Sequence, residues 1–242
     1  MRRPIVAGNW KMNGDRKDIA ILAAELLNLQ CKADVIVFPP HVYIAQVIDA
    51  LSDSAISVGA QNVSEHKHGA HTGEVSSDML KDIGCEYCLV GHSERRSLHN
   101  EDDRDVAQKF RQAQSVGLRP ILCLGETLKQ REKGETLGLI SEQIDAVLKC
   151  AGEKSLADAV IAYEPVWAIG TGKSAETDQI QIVHRYIRDK LGECGEKTRI
   201  LYGGSVVPGN TAELLSQPDV DGVLVGGASL DAGAFSKICK LV

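Results

Sequence analysis

The sequence predicts an α/β protein, a closed (β/α)8 barrel in which residues 1–242 form one domain. Three features point there: short runs that are apolar at every position, stretches of helical period between them, and eight such pairs with no linker. A run without polar alternation suits a strand buried on both faces, as in a parallel sheet covered by helices. Eight similar units favour closure over the alternative, an open doubly wound sheet.

The strands are expected at Ile5-Val6-Ala7, Val35-Ile36-Val37-Phe38, Ile56-Ser57-Val58, Cys88-Leu89-Val90, Ile121-Leu122-Cys123-Leu124, Val160-Ile161-Ala162, Ile200-Leu201 and Val223-Leu224-Val225. Apolar stripes of helical spacing follow the first, fourth, fifth and sixth: Ile19, Leu22, Leu26 and Leu29; Val106, Phe110 and Ala113; Leu137, Ile140, Ile144 and Val147; Val183, Ile187 and Leu191. The segments 42–51, 77–83, 211–215 and 232–241 are weaker but long enough for the remaining helices.

Acidic residues number 33 against 27 basic, a net charge of -6, which argues against a general nucleic-acid or anionic-membrane surface while leaving room for a local basic pocket. No apolar run approaches the roughly 20 residues of a membrane helix. The seven scattered cysteines and the opening Met1-Arg2-Arg3-Pro4, without an apolar leader, predict reduced thiols in the cytoplasm.

In a parallel barrel the loops after the strands form the working face. Polar or glycine-rich clusters follow strand 1 (Asn9-Trp10-Lys11), strand 4 (Gly91-His92-Ser93-Glu94), strand 6 (Glu164-Pro165), strand 7 (Gly203-Gly204-Ser205) and strand 8 (Gly226-Gly227), all on that rim. A lone lysine or histidine at a strand end is ordinarily just solvated; convergence changes that reading. The late glycine pairs offer backbone N–H groups for an anion, where barrels commonly hold phosphate. Asn9, Lys11, His92 and Glu164 then surround a phosphate site with an amide, an ammonium, an imidazole and a carboxylate. Glu164 is the natural base for a proton on carbon beside a carbonyl, with the donors opposite holding the oxyanion. An enediolate next to a phosphate ester readily eliminates phosphate, so the site must close against water and fix that group. The run Pro165, Val166, Trp167, Ala168, Ile169, Gly170, Thr171, Gly172 and Lys173 has the build of a lid, apolar in the middle with hinges at each end.

These motifs resemble the triosephosphate isomerase family along nearly the whole chain. They are Gly8-Asn9-Trp10-Lys11-Met12-Asn13, Gly69-Ala70-His71-Thr72-Gly73-Glu74, Gly91-His92-Ser93-Glu94-Arg95-Arg96, the run from Ala162 to Gly172, Tyr202-Gly203-Gly204-Ser205-Val206 and Gly226-Gly227-Ala228-Ser229-Leu230. The resemblance implies a TIM barrel that interconverts dihydroxyacetone phosphate and D-glyceraldehyde 3-phosphate in glycolysis and gluconeogenesis, without cofactor or metal. It implies Glu164 as base and His92, kept neutral by a helix N-terminus, as electrophile; pKa tuning in this enzyme is a known general example. Lys11, Asn9 and Glu94 complete the catalytic set, with Cys123 buried behind the base. Gly170, Ser205, Gly226 and Gly227 would hold the phosphate. A homodimer is implied too, with Thr72, Gly73 and Glu74 of one subunit beside Asn13 and Lys11 of the other. His71 stands where the family usually has Phe, and Val63-Ser64 where an aromatic or Cys is common.

Other signals are weaker. Gly172-Lys173-Ser174 ends like a phosphate-binding P-loop, but Trp167 replaces its first glycine. Cys85-Glu86-Tyr87-Cys88 has no second pair to complete a zinc site. His66, His68 and His71 read as solvated loop histidines, and Glu101-Asp102-Asp103 as favouring the N-terminus of the next helix. A barrel acting on a larger sugar phosphate, or a binding protein on the same fold, are the competing readings. The compact Trp167 segment opposes the first and the presence of Glu164, His92 and Lys11 together opposes the second.

Overall fold

The computed structural model describes residues 2–169 and 175–242. Eight parallel strands close into a barrel in sequence order: β1 (Ile5–Asn9), β2 (Asp34–Phe38), β3 (Ser57–Ala60), β4 (Tyr87–Val90), β5 (Arg119–Leu124), β6 (Val160–Tyr163), β7 (Arg199–Tyr202) and β8 (Gly222–Val225). β1 pairs with β8, Ile5 opposite Gly222, so no sheet edge is left open.

The helices among the described residues are α1 (Arg16–Leu26), α2 (Ile44–Leu51), α3 (Ser77–Asp82), α4 (Ser93–Leu98), α5 (Asp103–Ser115), α6 (Leu128–Glu132), α7 (Thr136–Ala151), α8 (Thr177–Lys190), α9 (Pro208–Leu215) and α10 (Ala232–Lys240). All eight expected strands and helices are present. Two short helices are additional, and each starts where a side chain caps it: His92 before α4, and Thr127, in a reciprocal pair with Gln130, before α6. None of the described helices is long and apolar enough to cross a membrane.

Alternation along the strands divides the core in two. Ile5, Ala7, Ile36, Phe38, Leu89, Ile121, Val160, Ala162, Leu201 and Leu224 fill the barrel interior. Their neighbours, such as Val6, Val35, Val37, Leu122, Ile161 and Val223, pack outward against the helices. Large and small residues interlock inside: a Cβ on Gly59 would lie 2.4 Å from the Phe38 ring, so β3 has room for Phe38 only because that residue is glycine.

Two expectations need correction in detail. Leu137 is 37% exposed, and the buried face of α7 is Ile140, Gln143, Ile144 and Val147, with a polar residue among the aliphatic ones. Glu101 does not serve the N-terminus of α5. Asp102 is the cap, reciprocated by Asp105, while Glu101 is buried and ion-paired with Lys109 and Arg95. His66, His68 and His71 are exposed, as expected of solvated loop histidines, and two of them, His66 and His71, stack with ring centroids 3.7 Å apart. Cys85 and Cys88 are buried free thiols, and burial lifts that of Cys85 to about 12 and that of Cys88 further, which leaves them poor nucleophiles and ligands.

Candidate active site

The inward-pointing parity of each strand, carried one step past its end, places the site. Ile5 and Ala7 point inward, so Asn9 does too; Val160 and Ala162 bring Glu164 to the axis; Leu201 and Leu224 bring Gly203 and Gly226. Together they line a pocket of about 230 Å³ that includes Asn9, Lys11, His92, Glu164, Ser205 and Gly227. The structure thus gathers most of the predicted site residues into one cavity on the C-terminal rim. Of the expected lid, Ile169 lines it, while Gly170, Thr171, Gly172 and Lys173 lie outside the described residues.

At its base, Glu164 is 1% exposed. One carboxylate oxygen accepts the Ser93 N–H at 2.9 Å and the other lies 3.1 Å from His92 Nε2. Burial alone would raise its pKa, but the adjacent His92, the Ser93 N–H and Lys11 outweigh it and hold the carboxyl below its ordinary value. For His92, burial opposes the imidazolium, yet the Glu164 and Glu94 carboxylates more than compensate and set it above its usual value. The larger part of that influence requires the Glu164 carboxylate to sit on the imidazole. On the ring's other side, Nδ1 accepts the Glu94 N–H at 3.2 Å as the cap of α4, an arrangement open only to an unprotonated nitrogen.

Lys11 sits in a left-handed backbone conformation, φ +52°, a geometry that costs a non-glycine residue roughly 1–2 kcal/mol. Two contacts hold it there. Asn9 Oδ1 accepts the Lys11 N–H at 3.0 Å, and Gln61 donates to the Lys11 carbonyl at 2.8 Å while also reaching Phe38 O. The ammonium pairs with Glu94 Oε1 at 2.6 Å. Glu94 is held outside the small pocket, on the wall of a neighbouring groove of about 810 Å³ that also includes Asn13, Gly73 and Glu74; Thr72 faces a different hollow beside His71. Cys123 lies fully buried, its thiol lifted far above the usual range by burial first and by Glu164 next.

The run after Glu164 folds into a 3-10 turn, Val166–Ala168, tied down by one residue that the sequence reading missed. Glu126, fully buried after β5, accepts from the Trp167 indole N–H at 3.0 Å, the Tyr163 hydroxyl at 3.1 Å and Arg131 at 3.2 Å, and its backbone carbonyl takes the Val166 N–H at 3.1 Å. Arg131 also covers the Trp167 ring, 4.9 Å from its centroid. Glu126 occupies the same rim as the other clusters, so its position after a strand was the available signal. Gln61 and the Ser93 N–H were missed as well; nothing in their residue types sets them apart.

The family model described as Triosephosphate isomerase matches residues 4–242. The chain belongs to the triosephosphate isomerase family. It is 53% identical over 248 residues to a triosephosphate isomerase of Methylococcus capsulatus, covering 100% of this chain and 99% of the relative. It is likewise 53% identical over 244 residues to that of Thiobacillus denitrificans, with 99% and 98% covered. One from a Shewanella species is 48% identical over 258 residues, with 100% and 98% covered. Such full-length matches align the triosephosphate isomerase fold with the barrel described above, from its first strand to its last helix.

Proposed function

We propose that Glu164, His92, Lys11 and Asn9 carry out the isomerisation of triose phosphates at this rim, with Glu164 as the base. The chain interconverts dihydroxyacetone phosphate and D-glyceraldehyde 3-phosphate through an enediolate, the aldose–ketose step of glycolysis that gluconeogenesis runs in reverse. The observation that carries the residue assignment is the pairing of the buried Glu164 carboxyl group with the Nε2 face of His92 in a pocket that also presents Lys11 and the late glycines.

When the Glu164 carboxylate turns from His92 towards substrate carbon, the larger of the two carboxylate influences that raise the imidazole lapses and only the weaker one of Glu94 stays. The α4 N-terminus then favours the neutral ring, whose Nε2–H donates to the substrate oxygen. Lys11 and Asn9 face the developing oxyanion. Ser205, Gly226 and Gly227 supply N–H groups for the phosphate, with Gly170 as a further donor. Glu94 fixes the Lys11 ammonium. The segment Pro165 to Lys173 is the lid, and Trp167, which donates to Glu126 and lies under Arg131, belongs to its described part. No metal or cofactor enters these steps.

Assay of the purified chain on D-glyceraldehyde 3-phosphate in chelator, with Lys11→Met beside it, tests this reading. Turnover without added metal is expected, with kcat/KM about a hundredfold lower in the variant, as for loss of one oxyanion donor. Equal turnover in both would remove Lys11 from the mechanism.

The same reading covers assembly and location. The exposed loop around Thr72, Gly73 and Glu74 and the broad groove beside Asn13 support a homodimer, as do Met12 and Leu98, 95% and 73% exposed on one chain. The expected sedimentation mass is twice 26.1 kDa. Thr72→Arg is expected to shift it to the monomer with loss of activity; a wild-type monomer at assay concentration would defeat the dimer. Closure of the barrel by β1 against β8 supports 1–242 as one domain, and seven free cysteines suit the cytoplasm.

A further inference from the structure

Strand β4 ends at Val90 because Gly91, at φ +72°, turns the chain outward into α4. β5 continues, and its β4-facing edge emerges without a strand partner just where the active site begins. Alternate residues of a parallel strand bond to opposite neighbours. Leu124 serves β6, its carbonyl accepting the Glu164 N–H at 2.7 Å. The N–H and C=O of Gly125 therefore face the vacant side.

Gln143 fills that place. Its Oε1 accepts the Gly125 N–H at 3.0 Å and its Nε2 donates to the Gly125 carbonyl at 3.3 Å, so one side-chain amide stands in for the missing peptide of β4. It does so from the buried face of α7, 5% exposed between Ile140 and Ile144. Gly125 in turn bears directly on the base. A Cβ there would come within 1.8 Å of the Glu164 carbonyl oxygen, so the Gly125 backbone lies directly against that of Glu164 and a shift of Gly125 towards it is resisted by contact. Behind them opens a cleft of about 340 Å³ lined by Ser93, Gly125, Gln143 and Glu164. On that side, hydrogen bonds rather than close packing set where the Gly125 peptide sits.

We propose that Gln143 is a positioning residue for the isomerisation, fixing Glu164 at its transfer distance through the Gly125 peptide. The role rests on the reading of Glu164 as base. Gln143→Met keeps length and volume but leaves both Gly125 groups unpaired, and Gln143→Glu keeps an acceptor for the N–H. The control is Thr198→Val, which removes a buried hydroxyl bonded to Leu156 O and Cys194 O beside the start of β7, at the opposite rim.

Each variant is to be melted and assayed with protonated substrate and with substrate deuterated at the transferred position, next to Glu164→Asp. Gln143→Met is expected to lower kcat about ten- to a hundredfold with KM within about twofold, and to enlarge the deuterium effect, because misplacement by a fraction of an ångström slows proton transfer itself. Gln143→Glu should fall between it and wild type. Thr198→Val should lose melting temperature alone. An unchanged kcat and isotope effect in Gln143→Met, with only a lower melting temperature, would overturn the proposal. Should that variant not fold, wild-type kcat in Gln143→Glu would do so. If Glu164→Asp collapses turnover and the Gln143 variants do not, the positioning role alone fails. If Glu164→Asp leaves turnover intact, the base assignment fails first.

Discussion

Glu164→Asp is expected to lower kcat about a thousandfold, within the range spanned by general-base contributions, while KM stays within a few-fold. The charge is retained and the pocket still presents its phosphate donors, so substrate binding persists. What changes is reach: removal of one methylene withdraws the carboxylate from the substrate carbon and from its present partners, the Ser93 N–H at 2.9 Å and His92 Nε2 at 3.1 Å. A buried carboxylate with weakened partners is also less readily ionised, because burial, the largest influence on Glu164, is then less fully opposed. Both effects act on proton transfer and neither on phosphate binding. Steady-state kinetics in both directions check this, and a proportionate rise in KM with unchanged kcat would assign Glu164 to binding instead.

Much of this site was legible because barrel geometry converts sequence parity into position. Asn9, Glu164, Gly203 and Gly226 each stand two residues beyond an inward-pointing strand residue, so their convergence follows from alternation and common strand direction. His92 escapes that rule, since Gly91 breaks the strand and the α4 cap orients the ring. What sequence could not supply were partners chosen by distance in space. Glu126 stood visibly on the right rim, but its hold on Trp167 and Tyr163 depends on how β5 and β6 pack. Gln143 was hidden by its polarity, although its spacing from Ile140 and Val147 places it on the buried stripe. Glu101 was misjudged for a related reason: a carboxylate beside a helix start reads as a cap until Lys109 and Arg95 are seen to enclose it.

At the far end of the barrel, Arg188→Met is expected to destabilise the fold by about 2–3 kcal/mol, the cost of leaving part-buried charged acceptors without their donor. At about 2–4 °C per kcal/mol for a chain of this size, the melting temperature should fall by roughly 5–10 °C. The guanidinium joins three elements: from α8 it donates to Asp219 Oδ1 and to Asp221 Oδ2, each at 2.6 Å, and to the Thr198 carbonyl before β7 at 3.2 Å. Asp221 in turn accepts the Ile200 N–H at 2.9 Å, so the network ties α8 to the start of β7 and to the loop that enters β8. Its pH dependence has a definite sign. Burial alone would raise the pKa of Asp219, but Gln181 and Arg188 override it and hold the carboxyl below its ordinary 3.8. The native state therefore favours the ionised form more than the unfolded chain does. That stabilisation is fully present above the unfolded value and is lost as pH falls through the depressed one. In Arg188→Met the Asp219 contribution shrinks, so the variant should lie furthest below wild type near neutral pH, with the gap narrowing once the pH drops below about 3.8. Denaturation followed across acidic pH checks this, with activity per folded molecule expected to stay at the wild-type level because the pocket lies at the opposite rim. A constant gap between the two proteins down to strongly acidic pH would mean that Arg188 acts by packing rather than by charge.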